Sequence, residues 1–175
     1  MRTLIICLAA CSFMHAADIR VALAPEPARR AAPDFVLPDA SGKPVQLSSF
    51  KGKPILLDLW ATKCGGCIKE IPLFIEIHHT YANRGLAVLG ISMDILYEDL
   101  KGPAEAWSLV NPFVEAHKLD YPVLMGDDGI AKRYSVTELP VTYLIDRRGR
   151  IAAKYVGIVE RANTEANIKA LLGER

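Results

Sequence analysis

The chain has 175 residues, the usual length of a single domain. Hydrophobic residues make up 51% of it and charged residues 23%, a composition that excludes a disordered or low-complexity chain. Lys and Arg number 21 against 20 Asp and Glu, so the chain lacks the basic excess of a nucleic-acid-binding protein.

The first segment, residues 1–17, has the layout of a secretory signal. One cation, Arg2, precedes a short apolar run, and small residues follow that run up to Ala17. A second interpretation stays open, because the sequence before Cys11 resembles a lipoprotein signal that ends at Ala10. In that case Cys11 carries a lipid and tethers the protein to a membrane. Both interpretations predict an exported protein of the periplasm or cell envelope.

Residues 18–33 are rich in Ala, Pro and Arg and predict a semi-rigid spacer, so the folded domain is expected over 34–175. In chain order this domain predicts a small hairpin, a buried strand, an amphipathic helix, a second buried strand and a mainly helical segment. A short strand, a short helix, a β-hairpin and a closing helix follow. These elements are predicted at 35–47, 55–60, 67–85, 86–91, 94–120, 121–124, 128–134, 141–156 and 164–172.

The order of these elements predicts an α/β sandwich with a mixed sheet. The strand–helix–strand sequence implies a parallel pair joined by a right-handed crossover, and the later hairpin adds antiparallel strands. Pro72 is expected to kink the first helix. Asn111 and Pro112 are expected to interrupt the second helical segment and to restart it.

The motif Cys64-Gly65-Gly66-Cys67 lies where a buried strand ends and a helix begins. Thiolate is the nucleophile in disulfide exchange, and the free N–H groups of a first helical turn stabilise negative charge there. We therefore expect Cys64 to attack a substrate disulfide and Cys67 to resolve the mixed disulfide. Zinc is disfavoured because no further ligands follow with zinc spacing, and haem attachment because Ile68 stands where His is needed. A purely structural disulfide is disfavoured because so short a loop constrains the unfolded chain little.

The segments around this motif resemble the thioredoxin fold and, within it, the exported TlpA/ResA-like thiol–disulfide oxidoreductases. The similar segments are Leu57–Ala61, Cys67–Pro72 and Leu139–Thr142. The helical segment at 94–120 corresponds to the insertion that distinguishes this branch, and the resemblance extends over about 35–172. It implies a thioredoxin-like three-layer sandwich in which helices flank a mixed central β-sheet. It also implies a helical insertion in the middle and an N-terminal β-hairpin.

The resemblance implies the catalytic residues as well. Cys64 and Cys67 are expected to form a disulfide in the oxidised protein. Asp58, alone in an otherwise apolar strand, is expected to be buried beneath them and to exchange protons with Cys67, because burial raises the pKa of a carboxyl group. Glu70 matches the acid that this branch places near the active site.

A substrate-binding surface is implied around the cysteines. The Leu139–Pro140 bond is expected to be cis and to face them, and Trp60 and Lys63 are expected to contribute to the same surface. The chain departs from the family at Lys63, where Trp is usual, and at Gly66, where Pro is frequent. Lys63 favours thiolate, whereas the glycine pair loosens the helix start, so the reduction potential and the direction of electron flow stay open.

The predicted function is that of an exported thiol–disulfide oxidoreductase that reduces or exchanges disulfides in exported partner proteins. By resemblance, the pathway is cytochrome c maturation, copper-site assembly or another redox pathway of the envelope. A membrane thiol reductant is expected to donate the electrons, since the sequence has no nucleotide-binding glycine loop. No cofactor or metal is expected, and the protein is expected to be a monomer.

Two alternative functions stay open. A peroxiredoxin shares the fold and the insertion, but its cysteine follows a Pro-x₃-Thr-x₂-Cys pattern. Here Thr62 precedes Cys64 by two positions instead of three. A copper chaperone would use the two thiols as soft ligands, and no cluster of Met or His accompanies them in the sequence.

Overall fold

The computed structural model describes residues 18–174. The predictions for residues 1–17, including lipidation of Cys11, lie outside this range. The strands are β1 (Val36–Pro38), β2 (Pro44–Gln46), β3 (Ile55–Trp60), β4 (Ala87–Ser92), β5 (Val123–Met125), β6 (Val141–Ile145) and β7 (Ile151–Val156). The α-helices are α1 (Gly65–Tyr81), α2 (Asp94–Tyr97), α3 (Pro103–His117), α4 (Asp128–Arg133) and α5 (Arg161–Gly173).

The central sheet is mixed and has the strand order β5-β4-β3-β6-β7, while β1 and β2 form the N-terminal hairpin. β3 pairs in parallel with β4 and antiparallel with β6. The outer strands continue this arrangement: β5 is parallel to β4, and β7 is antiparallel to β6. The predicted parallel pair is therefore confirmed, and so is the mixed sheet.

The sheet separates two apolar layers, which gives the predicted three-layer architecture. On one face Leu56 and Trp60 pack with α1, α3 and α5. On the other face Leu57 and Leu59 pack with the hairpin and α4. Because successive side chains of a strand point to opposite faces, Asp58 lies on the α1 face with Leu56 and Trp60. The fold thus places one carboxyl group within the apolar layer below α1.

The helical insertion is present, but it is divided. The segment predicted as mainly helical over 94–120 forms two helices, because α2 ends at Tyr97 and α3 begins at Pro103. Asp99 and Gly102 between them have φ values of 51° and 157°, which a continuous right-handed helix does not allow. Pro103 occupies the first turn of α3, where its missing N–H costs nothing.

One of the two proline predictions differs from the structure. The predicted interruption at Asn111 and Pro112 is wrong, because α3 runs through both residues. Pro112 is exposed, so the carbonyl group that it leaves without an N–H partner is open to water. α1 includes the exposed Pro72 and continues from Gly65 to Tyr81, so the proline does not end the helix, and the kink there stays a prediction. No helix within the described part of the chain is both long and apolar enough to cross a membrane.

The segment predicted as a spacer, residues 18–33, packs along the domain. The N–H of Ile19 donates to the carbonyl oxygen of Ile158 at 2.6 Å. Arg29 is buried, and its Nη1 lies 3.2 Å from a carboxylate oxygen of Asp146. These contacts join the segment to the far end of the sequence, so the folded unit includes residues 18–33.

Candidate active site

The cysteines of the motif form a disulfide at the N-terminus of α1. Their Cα atoms are 5.2 Å apart, and the sulfur of Cys64, the N-cap residue, accepts the N–H of Cys67 at 3.2 Å. Cys67 has only 1% of its surface exposed, whereas Cys64 is partly exposed. Cys64 is therefore accessible from the surface and Cys67 is not, an arrangement that suits the predicted attacking and resolving roles.

The turn that carries Cys64 is fixed by Asp94, the first residue of α2. The Thr62 N–H donates to the Asp94 carboxylate at 3.0 Å and the Thr62 hydroxyl at 2.5 Å. The Ser92 hydroxyl donates to the same carboxylate at 2.8 Å. Asp94 has no exposed surface. The insertion thus supports the active-site turn through a buried carboxylate.

Lys63 precedes Cys64 and forms an ion pair with Glu98, which directly follows α2. The Lys63 side chain is 71% exposed. An ion pair at such exposure contributes about 0–1 kcal/mol, so its contribution to stability is small. The pair matters more for Cys64. Lys63 is expected to stabilise the Cys64 thiolate by its positive charge, and Glu98 offsets part of that charge.

Asp58 lies in the middle of β3, opposite Gly90 of β4 and Thr142 of β6. Its side chain is buried, and its Oδ1 has no hydrogen-bond partner among residues 18–174. Burial raises the pKa of Asp58 well above its ordinary value, and the charge of Glu70 raises it further. The raised pKa makes the ionised carboxylate a stronger base than an ordinary aspartate, which is the property needed to take up a proton from a buried thiol.

Glu70, on the second turn of α1, is a second buried carboxyl group. Its Oε1 accepts the N–H of Val159 at 2.6 Å, while its Oε2 has no hydrogen-bond partner in the described chain. Burial raises the pKa of Glu70 to about 7, although the hydrogen bond from Val159 acts in the opposite direction. Glu70 therefore changes charge in the neutral pH range, close to the cysteines.

Replacing Glu70 with Gln should stabilise the protein above pH 7 and leave its stability unchanged at acidic pH. The folded protein raises the pKa of Glu70 from 4.5 to about 7, so the wild type loses stability as the pH rises through this interval. At about 1.4 kcal/mol per pKa unit, the gain should be about 3–4 kcal/mol above pH 7. Urea denaturation across a pH series measures it.

Glu76→Gln on the same helix is the matched control. Arg161 lowers the pKa of the exposed Glu76, so this substitution should produce no gain at any pH. An equal gain in both variants, or a Glu70→Gln gain that persists below pH 4, would contradict the assignment of the neutral titration to Glu70.

The loop before β6 faces the start of α1. Its Leu139–Pro140 peptide bond is cis, as predicted. Pro140 is buried, and a Cβ atom on Gly66 would lie 3.0 Å from Pro140 Cδ, so glycine permits this close approach. Leu139 lines a surface cavity of about 310 Å³ beside the disulfide. The other lining residues are Ala61, Lys63, Cys64, Gly65, Gly66, Tyr97 and Glu98.

Trp60 does not lie on this surface, contrary to the prediction. Its side chain has 0% exposure, and its ring stacks on Phe113 of α3 with the centroids 5.1 Å apart. The insertion therefore covers Trp60 and removes it from contact with substrate. Tyr97 of α2, which is 41% exposed, is the aromatic residue that lines the cavity.

The sequence reasoning missed the contribution of α2, namely Asp94, Tyr97 and Glu98. It placed these residues in a helical segment and assigned them no role. A signal was present, because Asp94 follows the buried strand β4 almost directly. Parallel neighbouring strands end at the same edge of a sheet, so a polar residue after β4 is expected near the turn after β3.

Residues 28–154 match the AhpC/TSA family. The thiol-disulfide oxidoreductase ResA of Bacillus thuringiensis subsp. konkukian is 32% identical over 141 residues, which cover 80% of this chain and 76% of that protein. The thioredoxin-like protein YneN of Bacillus subtilis is 32% identical over 137 residues, with 78% and 76% coverage.

Among solved structures, a thiol:disulfide interchange protein from Chlorobium tepidum TLS superimposes with a TM-score of 0.70 at 26% identity. The match covers 83% of this chain and 97% of that one. Two of these proteins are named for thiol–disulfide exchange, and the disulfide at the N-terminus of α1 is the group that such exchange requires. The chain therefore belongs to the AhpC/TSA family and is a thiol–disulfide oxidoreductase of the ResA type.

Proposed function

We propose that the protein reduces disulfides in exported proteins. The observation that carries this proposal is the unequal exposure of the two sulfurs at the head of α1. Cys64 borders an open cavity, whereas Cys67 is buried on the same helix. Such an arrangement admits a large substrate to one sulfur and keeps the other for the intramolecular step.

Reduction consists of two exchange steps. The Cys64 thiolate attacks one sulfur of the substrate disulfide, a mixed disulfide forms and the other substrate sulfur leaves as a thiolate. Cys67 then gives its proton to Asp58 and attacks the Cys64 sulfur, which breaks the mixed disulfide and releases the second substrate thiolate. Two electrons pass to the substrate, and the Cys64–Cys67 disulfide is formed.

The substrate chain is proposed to bind along the loop that ends at Pro140. Leu139 borders the cavity, and proline has no N–H, so the backbone before it is free to pair with an extended peptide next to Cys64. Lys63 and Tyr97 lie at the rim of the same cavity and are proposed to contact side chains that flank the substrate cysteine. Glu70 is proposed to assist proton movement beneath this surface.

The proposed location is the periplasm or cell envelope, reached through the signal in residues 1–17 or through a lipid on Cys11. The mass of the mature N-terminus distinguishes these two routes. Export implies an oxidising compartment, so a membrane thiol donor must restore the reduced form after each turnover. The proposed partners are exported thiol proteins, such as an apo-cytochrome c or a copper-site assembly protein, and the proposed state is monomeric.

Replacing Cys67 with Ala should trap the substrate as a mixed disulfide on Cys64. Without the resolving sulfur, the second exchange cannot take place and the first product accumulates. Affinity purification of tagged Cys67→Ala protein from the cell envelope, under conditions that block free thiols, should recover adducts that a reductant releases. Mass spectrometry identifies the attached protein and the linkage to Cys64.

Cys64→Ala is the control and should recover no adduct, because Cys67 is buried. Adducts on both variants, or on neither, would contradict the proposed division of roles. A Cys67→Ala protein recovered without adduct but with Cys64 oxidised to sulfenic acid would instead indicate a peroxidase.

A further inference from the structure

The layer between the sheet and α1 contains a group of polar side chains that is unusual for an apolar core. Each is buried and has a polar atom without a hydrogen-bond partner among residues 18–174. These atoms are Asp58 Oδ1, Trp60 Nε1, Glu70 Oε2, Tyr121 OH and Thr142 Oγ1. We call this group the interior polar cluster. Buried polar atoms in proteins are rarely left unpaired, and these atoms together offer hydrogen-bond donors and acceptors to a small bound molecule.

Strand register brings these side chains together. Asp58, Gly90 and Thr142 are direct partners in a row across β4, β3 and β6. A Cβ atom on Gly90 would lie 2.9 Å from Trp60 Nε1 and 3.2 Å from Tyr121 Cε2. The indole N–H and the Tyr121 ring therefore occupy the space that a side chain at position 90 would fill, next to Asp58.

Tyr121 connects the cluster to the outer side of α1. Its ring meets the ring of His78 edge-on, with the centroids 6.2 Å apart, and His78 is partly exposed. The charged groups that face the Tyr121 hydroxyl are Asp58, Asp120 and Glu70. Burial, together with these three carboxyl groups, raises the pKa of Tyr121 well above its ordinary value. The hydroxyl therefore stays protonated at neutral pH and can both donate and accept a hydrogen bond.

We propose that the interior polar cluster binds water and that Tyr121 is a positioning residue that links Asp58, through this water, to solvent beside His78. Water fits the site because each water molecule satisfies several polar atoms at once, and the cluster offers both donors and acceptors. The proposal rests on the proposed function, in which Asp58 accepts the proton of Cys67.

The proposed link through water and Tyr121 lets Asp58 lose the proton that it received and become ionised again. During resolution, one proton moves from the Cys67 thiol to the Asp58 carboxylate. The protonated carboxyl then gives one proton to the bound water, and the Tyr121 hydroxyl accepts one proton as it releases its own towards solvent. Tyr121 ends unchanged, and one proton leaves the protein for each resolving step.

Replacing Tyr121 with Phe should slow resolution without slowing the first attack. Phe keeps the ring that packs over Gly90 and removes only the hydroxyl. With an aromatic disulfide whose thiolate is coloured, stopped-flow absorbance separates the first release from the second. We expect the second release to slow about tenfold at pH 7, and its pH midpoint to rise by about one unit, because Asp58 loses a donor that stabilises its charge.

Tyr134→Phe is the matched control, because the buried Tyr134 hydroxyl donates to the Pro33 carbonyl oxygen on the opposite face of the sheet. It should change neither phase. A Tyr121→Phe variant whose second phase and pH midpoint equal those of the wild type would overturn the proposal. In an Asp58→Asn background, Tyr121→Phe should slow resolution no further, and an additive effect would also overturn it.

Two further readouts separate this inference from the proposed function. If Asp58→Asn itself leaves resolution unchanged, the proton role of Asp58 fails, and the proposal fails with it. If Asp58→Asn slows resolution and Tyr121→Phe does not, only the present inference fails. Independently of activity, the Trp60 indole proton should show a nuclear Overhauser cross-peak to long-lived bound water, and its absence in the folded protein would overturn the hydration of the cluster.

Discussion

Replacing Asp58 with Asn should slow the resolving step about 100-fold while leaving the first attack unchanged. The buried carboxylate is the base that removes the proton of Cys67 in the proposed mechanism, and a positioned general base typically contributes at least about 100-fold. Asn has nearly the same shape and cannot take up a proton. The resolving step of the variant should therefore also lose the pH dependence that titration of Asp58 imposes on it.

The same substitution should stabilise the folded protein as the pH rises. Burial raises the pKa of Asp58 above its value in the unfolded chain, so the wild type has its full stability below the unfolded pKa. It loses stability progressively as the pH rises towards the folded pKa. Asp58→Asn removes this loss, which amounts to about 1.4 kcal/mol for each unit of pKa elevation. Below about pH 3.9, the two proteins should differ little.

Stopped-flow kinetics with a coloured aromatic disulfide and urea denaturation at several pH values measure these two effects. Asp128→Asn, at an exposed aspartate in the first turn of α4, should change neither of them. A variant that becomes more stable but resolves at the wild-type rate would show that Asp58 is merely an unfavourable buried charge. A variant that resolves slowly without gaining stability would contradict the raised pKa.

The structural features that could be predicted from the sequence are those that depend on residues close to one another in the chain. The apolar run before Cys64 predicts a strand that is covered on both faces, and every residue of β3 is buried. The strand-to-helix transition places the cysteines at a helix start, where both are found. The N-terminal segment was harder to predict. Arg29 donates a hydrogen bond to Asp146, which is 117 residues away in the chain. The composition around Arg29 does not indicate so distant a partner.

Trp60 shows how an insertion changes a local prediction. In the sequence it stands four residues before Cys64, which favours a place at the active-site surface. The structure buries it completely because Phe113 of α3 stacks on its ring. The strand pattern alone places Trp60 on the face of Asp58, but only the position of the insertion decides whether that end of the sheet is covered. The same insertion supplies Tyr97 to the cavity in its place.

Replacing Asp94 with Ala should destabilise the protein by about 3–5 kcal/mol and slow the attack by Cys64 about tenfold. The substitution removes the acceptor of the Thr62 N–H, the Thr62 hydroxyl and the Ser92 hydroxyl, inside a site without exposed surface. Each buried donor left unpaired costs about 1–3 kcal/mol. Because Thr62 lies two residues before Cys64, the loss should also loosen the turn that aims the sulfur at the cavity.

Two variants separate positioning from simple loss of stability. Asp94→Asn keeps one acceptor oxygen in the same place, so it should recover about half of the lost free energy of unfolding and most of the attack rate. Glu98→Gln breaks only the exposed pair with Lys63 and should cost less than about 1 kcal/mol. Urea denaturation and the first phase of the coloured-disulfide reaction measure both quantities. If Asp94→Ala costs less than about 1 kcal/mol, or if its attack rate is that of the wild type, the turn holds Cys64 without the Asp94 carboxylate.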